Sequence, residues 1–442
     1  MNEHEYPNRV NSYNNADEKR QSGVLPPPGA QPLILFDLAT IVGAVYQQQI
    51  TTTKQGTLTK RFADLLRPLL HGLSRNDERQ VDSYVEMLFK MAQELELIHV
   101  VSPNYEGEHR PYYRPSIESG LEKWSQLHVY EQTRQFLSKW RESTEWQDIW
   151  SADFQQWDAS DWNPLAARDL LIELLSAGIC EPEQWYFVSS LLDTIWLRGF
   201  YLLRPTRYKE RSRTQSIPFE IRRYWNLCER IVYLGILSST LSELGIVSLA
   251  SHPADFTTGT LSQPTRFKLT GFGAQVLSNK QPSAATGRSS RILVVQPSFE
   301  IILLQFDPPI LYQLLPFTEI KLVEQASRLT LTRNSVLRGL EAGLTVEVML
   351  AILNASSKRA IPQNVIRTMQ DWAKTYRGAA MVEVQLIEVS SEEIAEELCI
   401  LPELREFGFE KIAPRRLLAY NVYDYSAFQK LLKKAGIVVR DW

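Results

Sequence analysis

Between Leu33 and Leu97 the hydrophobic positions recur at helical spacing, and three helices are predicted there. The first covers Asp37 to Gln49, and the second follows Thr59, a residue suited to capping the run TKRFADLLRPLL. The third, Asp77 to Glu96, puts Val81, Val85, Leu88, Ala92 and Leu95 on one face. The pattern then changes to LIHVV, a polar loop and YYRP, as a β-hairpin requires. Three helices and a hairpin over residues 33–115 have the order of a winged helix.

Residues 165–278 repeat that order at larger scale. Helical patterns run through RDLLIELLSAG, PEQWYFVSSLLDTIWLRGF and FEIRRYWNLCERIVYLGIL, and LGIVSLA and TRFKLT serve as the two strands of a wing. Between the two modules, residues 116–164 form a helical connector dense in tryptophan (Trp124, Trp140, Trp146, Trp150, Trp157, Trp162). Its acidic surroundings favour rings packed in a core over rings offered to unpaired bases. Residues 1–32 are polar, end in LPPPGAQP and are expected to be a disordered tail; NKQPSAATGRSS, within 279–290, reads as a linker.

Residues 291–442 start afresh with RILVVQPSFEIILLQFD, two β-rich runs around a turn near Pro297. A helix-turn-helix outline follows in RLTLTRNSVLRGLEAGLTVEVMLAIL, with Thr332 and Thr345 as N-caps and Gly343 as the left-handed stop between them. Its second helix, VEVMLAILN, is apolar on nearly every side, so a core helix is expected rather than one that reads DNA. The next helix, Pro362 to Tyr376, has Val365, Met369, Trp372 and Tyr376 on one face and Gln363, Arg367, Gln370 and Lys374 on the other. Gln and Arg match base edges and Lys matches phosphate, although a solvated amphipathic face has the same pattern. A strand in MVEVQLIEV, a helix after Ser390, a strand near RRLLAYNV and a helix from Asp424 to Ala435 complete an α+β arrangement. The fold class expected for the chain is α+β and mostly helical: tandem winged helices followed by a C-terminal α+β domain.

Several motifs in this last region belong together. LVVQPSFEIILL, PFTEI, LTLTRNSVLRGLEAGLTVEVML, IPQNV and DWAKTY resemble the N-terminal domain of XPB-type helicases as it occurs in bacterial helicase-associated proteins. The earlier ITTTKQGTLTKR is similar to the first winged helix of the same proteins. The resemblance implies an accessory role beside a superfamily-two DNA helicase, with DNA and a helicase or related subunit as partners. It departs from the full helicases in having no helicase core, so ATPase activity is not carried over.

Composition and charge refine this picture. With 48 Lys and Arg against 51 Asp and Glu the chain is not uniformly basic, and any nucleic-acid contact must come from local patches. The densest is RPTRYKERSR, with Arg204, Arg207, Lys209, Arg211 and Arg213, followed by Arg222 and Arg223. Such a loop neutralises several phosphates, or is merely a solvated connection. Arg110 and Arg114 in EHRPYYRP form a smaller group of the same kind.

Three scattered cysteines give neither a disulfide framework nor a zinc module and fit a cytoplasmic location, and no apolar run is long enough for a membrane span. The six histidines have no metal-ligand spacing. The dipeptide Gly-Lys, part of every Walker phosphate loop, is absent from the sequence. GFGAQV has two glycines, without the third glycine or the acidic residue of a dinucleotide site, and reads as a strand-to-helix turn. Glu392, Glu393, Glu396 and Glu397 sit where carboxylates favour a helix start. No enzyme activity, no cofactor and no small-molecule substrate is expected. The open alternatives are a protein–protein scaffold without direct DNA contact and a winged-helix transcription regulator.

Overall fold

A computed structural model describes residues 31–53, 57–71, 78–101, 111–116, 120–144, 146, 148, 162–176, 178–205, 218–250, 264–278, 291–376, 384–401, 404, 407–420, 425–434 and 436–437. The chain divides into two compact units, Met1–Tyr376 and Arg377–Trp442. The division falls inside the stretch 291–442 that the sequence reads as one domain. A mixed α+β, mostly helical architecture is observed.

The first unit is organised around a helix that has no polar face. In α1 (Leu33–Gln47) every residue from Ile34 to Val45 is buried, including Asp37 and Thr40. This is why its start escaped the amphipathic pattern: a helix enclosed on all sides has no period to read. Its buried polar groups are satisfied. Thr40 donates to the Phe36 carbonyl at 2.9 Å, and the Asp37 carboxylate accepts from the Tyr84 hydroxyl and the His71 backbone N–H, each at 2.7 Å. Gly43 lets the helix lie against the third module, since a Cβ there would stand 2.0 Å from Ile320 Cδ1.

Around it stand α2 (Lys60–Leu66) and α3 (Glu78–Glu94), followed by the antiparallel pair β1 (Ile98–Val101) and β2 (Tyr112–Pro115). Thr59 sits at the cap of α2, but its side chain makes no capping bond, and Pro68 tightens the helix end into a 3-10 turn. An isolated antiparallel bridge joins Thr51 to Tyr112 beside the hairpin.

The connector supplies α4 (Glu122–Gln126) and α5 (Val129–Glu142). Trp124, Trp140 and Trp146 are buried, as large rings that pin a connector should be. Trp150 and Trp157 lie outside the described residues. The Trp124 indole N–H donates to the Tyr312 hydroxyl at 3.0 Å, tying the connector to the third module.

The second module runs α6 (Pro164–Ser176), β3 (Trp185–Phe187), α7 (Val188–Gly199), α8 (Pro218–Leu227), α9 (Glu229–Ile236), β4 (Val247–Ala250), β5 (Arg266–Leu269) and α10 (Gly271–Leu277). The strands form an antiparallel sheet in the order β3-β5-β4. β3 was not foreseen, because three residues are too few to show alternation.

The third module places β6 (Leu293–Val295), β7 (Glu300–Leu303), β8 (Glu319–Leu322) and β9 (Ser327–Thr330) in a four-stranded sheet of order β6-β7-β9-β8. β6 and β7 are the hairpin expected around Pro297. The helix α11 (Pro308–Leu314) precedes β8, and α12 (Arg333–Glu341), α13 (Val346–Ser356) and α14 (Gln363–Lys374) follow β9. One continuous hydrophobic core runs through all three modules, from Ile34 to Met369.

The second unit has its own small core, built on Leu398, Leu417, Phe428 and Leu432. It comprises β10 (Gln385–Glu388), α15 (Glu392–Ile400), β11 (Phe409–Ala413), β12 (Arg416–Ala419) and α16 (Tyr425–Lys434), with sheet order β10-β12-β11. Of the clustered glutamates, Glu392 and Glu396 pair with Lys411 across to β11, at 2.8 and 3.1 Å.

Candidate nucleic-acid interface

The helix-turn-helix outline forms largely as its caps dictate. Thr332 accepts from the Ser335 N–H at 3.1 Å and Ser335 returns a bond to the Thr332 N–H at 3.0 Å, which closes a capping box. Gly343 takes φ +85, and Thr345 caps α13 by accepting from Val348 N–H at 3.3 Å. The expectation that α13 is a core helix needs correction. Only Val346, Met349, Leu353 and Ser356 are buried, while Glu347, Val348, Ala351, Asn354 and Ala355 face outward. Its apolar composition conceals a single buried stripe on a surface helix.

The next helix, α14, divides as its spacing demands. Val365 and Met369 are fully buried, Trp372 packs its ring against Phe299 at 5.6 Å, and Gln363, Arg367, Gln370 and Lys374 are all exposed along the opposite side. Asn364 anchors the helix start by donating to the Pro297 carbonyl at 2.9 Å, and Arg333 reaches the Thr375 hydroxyl at its other end, 3.3 Å away. Lys358 and Arg359, also exposed, precede the helix. Asp371 offsets part of this charge through its 2.9 Å pair with Lys374. Beside the C-terminal half of α14 an open groove of about 710 Å³ is lined by Leu344, Glu347, Gln370, Lys374 and Tyr376.

Elsewhere the sequence candidates separate. Arg207, Lys209, Arg211, Arg213 and Arg110 lie outside the described residues. Arg204 is corrected from a phosphate contact to a packing residue: it is 3% exposed, its guanidinium stacks 4.1 Å from the Trp162 ring centre, and it donates to the Tyr224 hydroxyl at 3.2 Å. A guanidinium set over an indole face gains a cation–π attraction that favours packing there. Arg222 pairs with Asp193 and lies over the rings of Trp196 and Trp225, at 4.7 and 5.1 Å. Arg223 is exposed, and so is Arg114 on β2, whose guanidinium lies 5.2 Å over Tyr112.

A helix that reads DNA from the third position of a winged helix must offer polar side chains to the groove. In the second module the third helix, α8, exposes Arg223 and Asn226, while α9 after it buries Val232, Tyr233, Leu234 and Ile236. In α3 the described positions away from the core include Ser83, Glu86, Lys90 and Glu94, a mixed rather than basic set.

The turn GFGAQV is closed to phosphates by its own neighbours. Thr270 accepts from the Gly273 N–H at 2.7 Å and Glu183 accepts from the Gly271 N–H at 2.6 Å. A Cβ at Gly273 would come within 2.2 Å of the Ile246 carbonyl oxygen, so the glycine serves close helix–strand packing. Among the described residues no group of three or more His, Cys, Asp or Glu is placed to hold a metal ion, and no helix is long and apolar enough to cross a membrane.

Residues 293–413 match the family model of a helicase conserved C-terminal domain. A search of curated proteins gives no match to the chain. The matched segment contains β6 through β11, and with them the whole α14 stripe and the groove beside it. A helicase-associated domain is therefore present in this chain, which points to association with nucleic acid or with a protein that acts on it.

Proposed function

We propose that this chain is a non-catalytic, DNA-associated accessory protein that docks a superfamily-two helicase of the XPB kind, or a related complex. In this reading the two helix-and-hairpin modules are winged helices that hold duplex or forked DNA through phosphates. The helicase-like region, of the XPB N-terminal type, supplies the docking surface and, through the α14 row, further contacts to DNA. The observation that carries the reading is the exposed row Gln363, Arg367, Gln370 and Lys374 inside the helicase-matched segment, in a sequence with no phosphate loop.

The test is a fluorescence-anisotropy titration of forked and duplex DNA over a range of salt. Wild type is expected to bind with a salt-dependent affinity. The double variant Arg367→Ala/Lys374→Ala should bind more weakly, with a log–log salt slope smaller by up to about 2, since each lost phosphate contact removes roughly 0.9. Binding absent at low salt, or unchanged in the variant, contradicts the DNA half of the proposal.

A second reading, a protein–protein scaffold without DNA contact, draws on Val348, an apolar side chain 44% exposed on α13. Retention of a helicase after nuclease treatment together with no DNA binding selects it.

A further inference from the structure

The sheet β3-β5-β4 buries one face, where Tyr186, Phe267 and Leu269 enter the core. The alternation of strand side chains places Trp185 and Phe187 of β3, and Arg266 and Lys268 of β5, on the other face. Register sets them in two rows, Trp185 opposite Lys268 and Phe187 opposite Arg266. Each cation lies over the ring across from it: Lys268 Nζ is 5.5 Å from the Trp185 ring centre, and Arg266 Cζ is 5.8 Å from that of Phe187. Phe187 is 38% exposed and Trp185 is half-buried, so neither ring is enclosed by the core.

Edge-strand residues two apart stand about 6.6 Å from each other, roughly the reach between successive bases of an extended strand. Glu183 fixes this geometry at one end. Its carboxylate pairs with Lys268 at 2.5 Å and also accepts from the Gly271 N–H. It holds the ammonium beside the indole at the cost of part of the positive charge.

Resting on the proposed association with DNA, we propose that this sheet face is a stacking platform for single-stranded DNA, with Trp185 and Phe187 each taking a base and Arg266 and Lys268 facing the phosphates. Flat rings beside cations have the chemistry that binds unpaired strands without reading sequence, because every base has a π-face. A duplex offers no free π-face, so this surface takes the displaced strand of a fork. It is also remote in sequence from the α14 row.

The experiment measures binding of a labelled oligothymidylate, an abasic oligonucleotide of the same length and a blunt duplex to the full chain. Trp185→Ala and Phe187→Ala are each expected to weaken oligothymidylate binding by about 5- to 150-fold. Trp185→Phe should restore most of it, and neither alanine variant should change duplex binding. The abasic strand should bind weakly to wild type and be indifferent to the substitutions. Should an alanine variant fail to fold by circular dichroism, photocrosslinking of a 5-iodouracil oligonucleotide to wild type replaces it, with adducts expected on Trp185 or Phe187. Wild-type affinity in folded alanine variants, crosslinks found only elsewhere, or preference for oligouridylate over oligothymidylate overturns the platform. Loss of duplex binding in Arg367→Ala/Lys374→Ala bears on the proposed function alone, so the two ideas fail separately.

Discussion

Replacing Asp148 by alanine removes the counter-charge of Arg168, which is fully buried. In the wild-type chain the guanidinium spends all of its donors. Nε and Nη2 reach Asp148 Oδ2 at 2.9 and 2.8 Å, Nη1 donates to the Trp140 and Ser143 carbonyls at 2.6 and 2.5 Å, and Nη2 donates to the Trp146 carbonyl at 2.6 Å. Asp148 Oδ1 in turn accepts from the Trp140 indole at 2.9 Å and the Thr240 hydroxyl at 2.5 Å. One carboxylate thus joins α5, α6 and the π-helical turn after α9.

Isolating a buried charge costs about 3–5 kcal/mol, whereas removing both partners of such a pair costs far less than the two losses combined. Asp148→Ala should therefore lower the unfolding free energy by about 3–5 kcal/mol. The double variant Asp148→Ala/Arg168→Met should show a coupling of about 1–3 kcal/mol, without full recovery because three carbonyls lose their donor. Urea unfolding followed by tryptophan fluorescence reads this directly, because every tryptophan except Trp442 belongs to the first unit. A loss below about 1 kcal/mol, or strict additivity in the double variant, refutes the assignment of this pair as a buried bolt.

Gly273→Ala should destabilise the second module by about 1–3 kcal/mol, since its new Cβ meets the Ile246 carbonyl; an unchanged melting temperature argues against that packing. Glu183 is held below its ordinary value near 4.5, first by the hydrogen bond from Lys268 and then by the Gly271 N–H. A depressed carboxylate stabilises above the unfolded pKa and loses that contribution as pH falls through the folded one. The stability gap between wild type and Glu183→Gln should therefore be present at pH 7, which lies above both values, shrink below about 4.5 and vanish in stronger acid. A gap that grows on acidification contradicts it. Burial pushes the Cys180 thiol up to about 12, and Cys399 is exposed. Mass spectrometry after brief alkylation of the native protein at mildly alkaline pH should find Cys399 modified well before Cys180.

Amphipathic segments were the legible ones. The two faces of α14, the capping box at Thr332 and the strands β4 and β5 of the second module all appear where period and capping chemistry place them. Segments without a period were not. α1 begins at Leu33, four residues before the expected start, because burial on every side erases the stripe. α13 misled in the opposite sense, since apolar residues such as Val348 and Ala351 remain on its outer face. β8 and β9 are four-residue strands whose alternation is too short to separate from neighbouring loops. The ring-and-cation rows across β3 and β5 depend on register, which no local pattern states. For the same reason Arg204 looked like part of a basic loop until Trp162 and Tyr224 were seen around it.

The proposal that this chain acts beside a helicase without hydrolysing ATP itself is tested most directly by ATP turnover of the purified chain, with and without saturating forked DNA. The account predicts no hydrolysis above the buffer rate in either case. DNA-stimulated turnover that follows the chain through successive purification steps contradicts it.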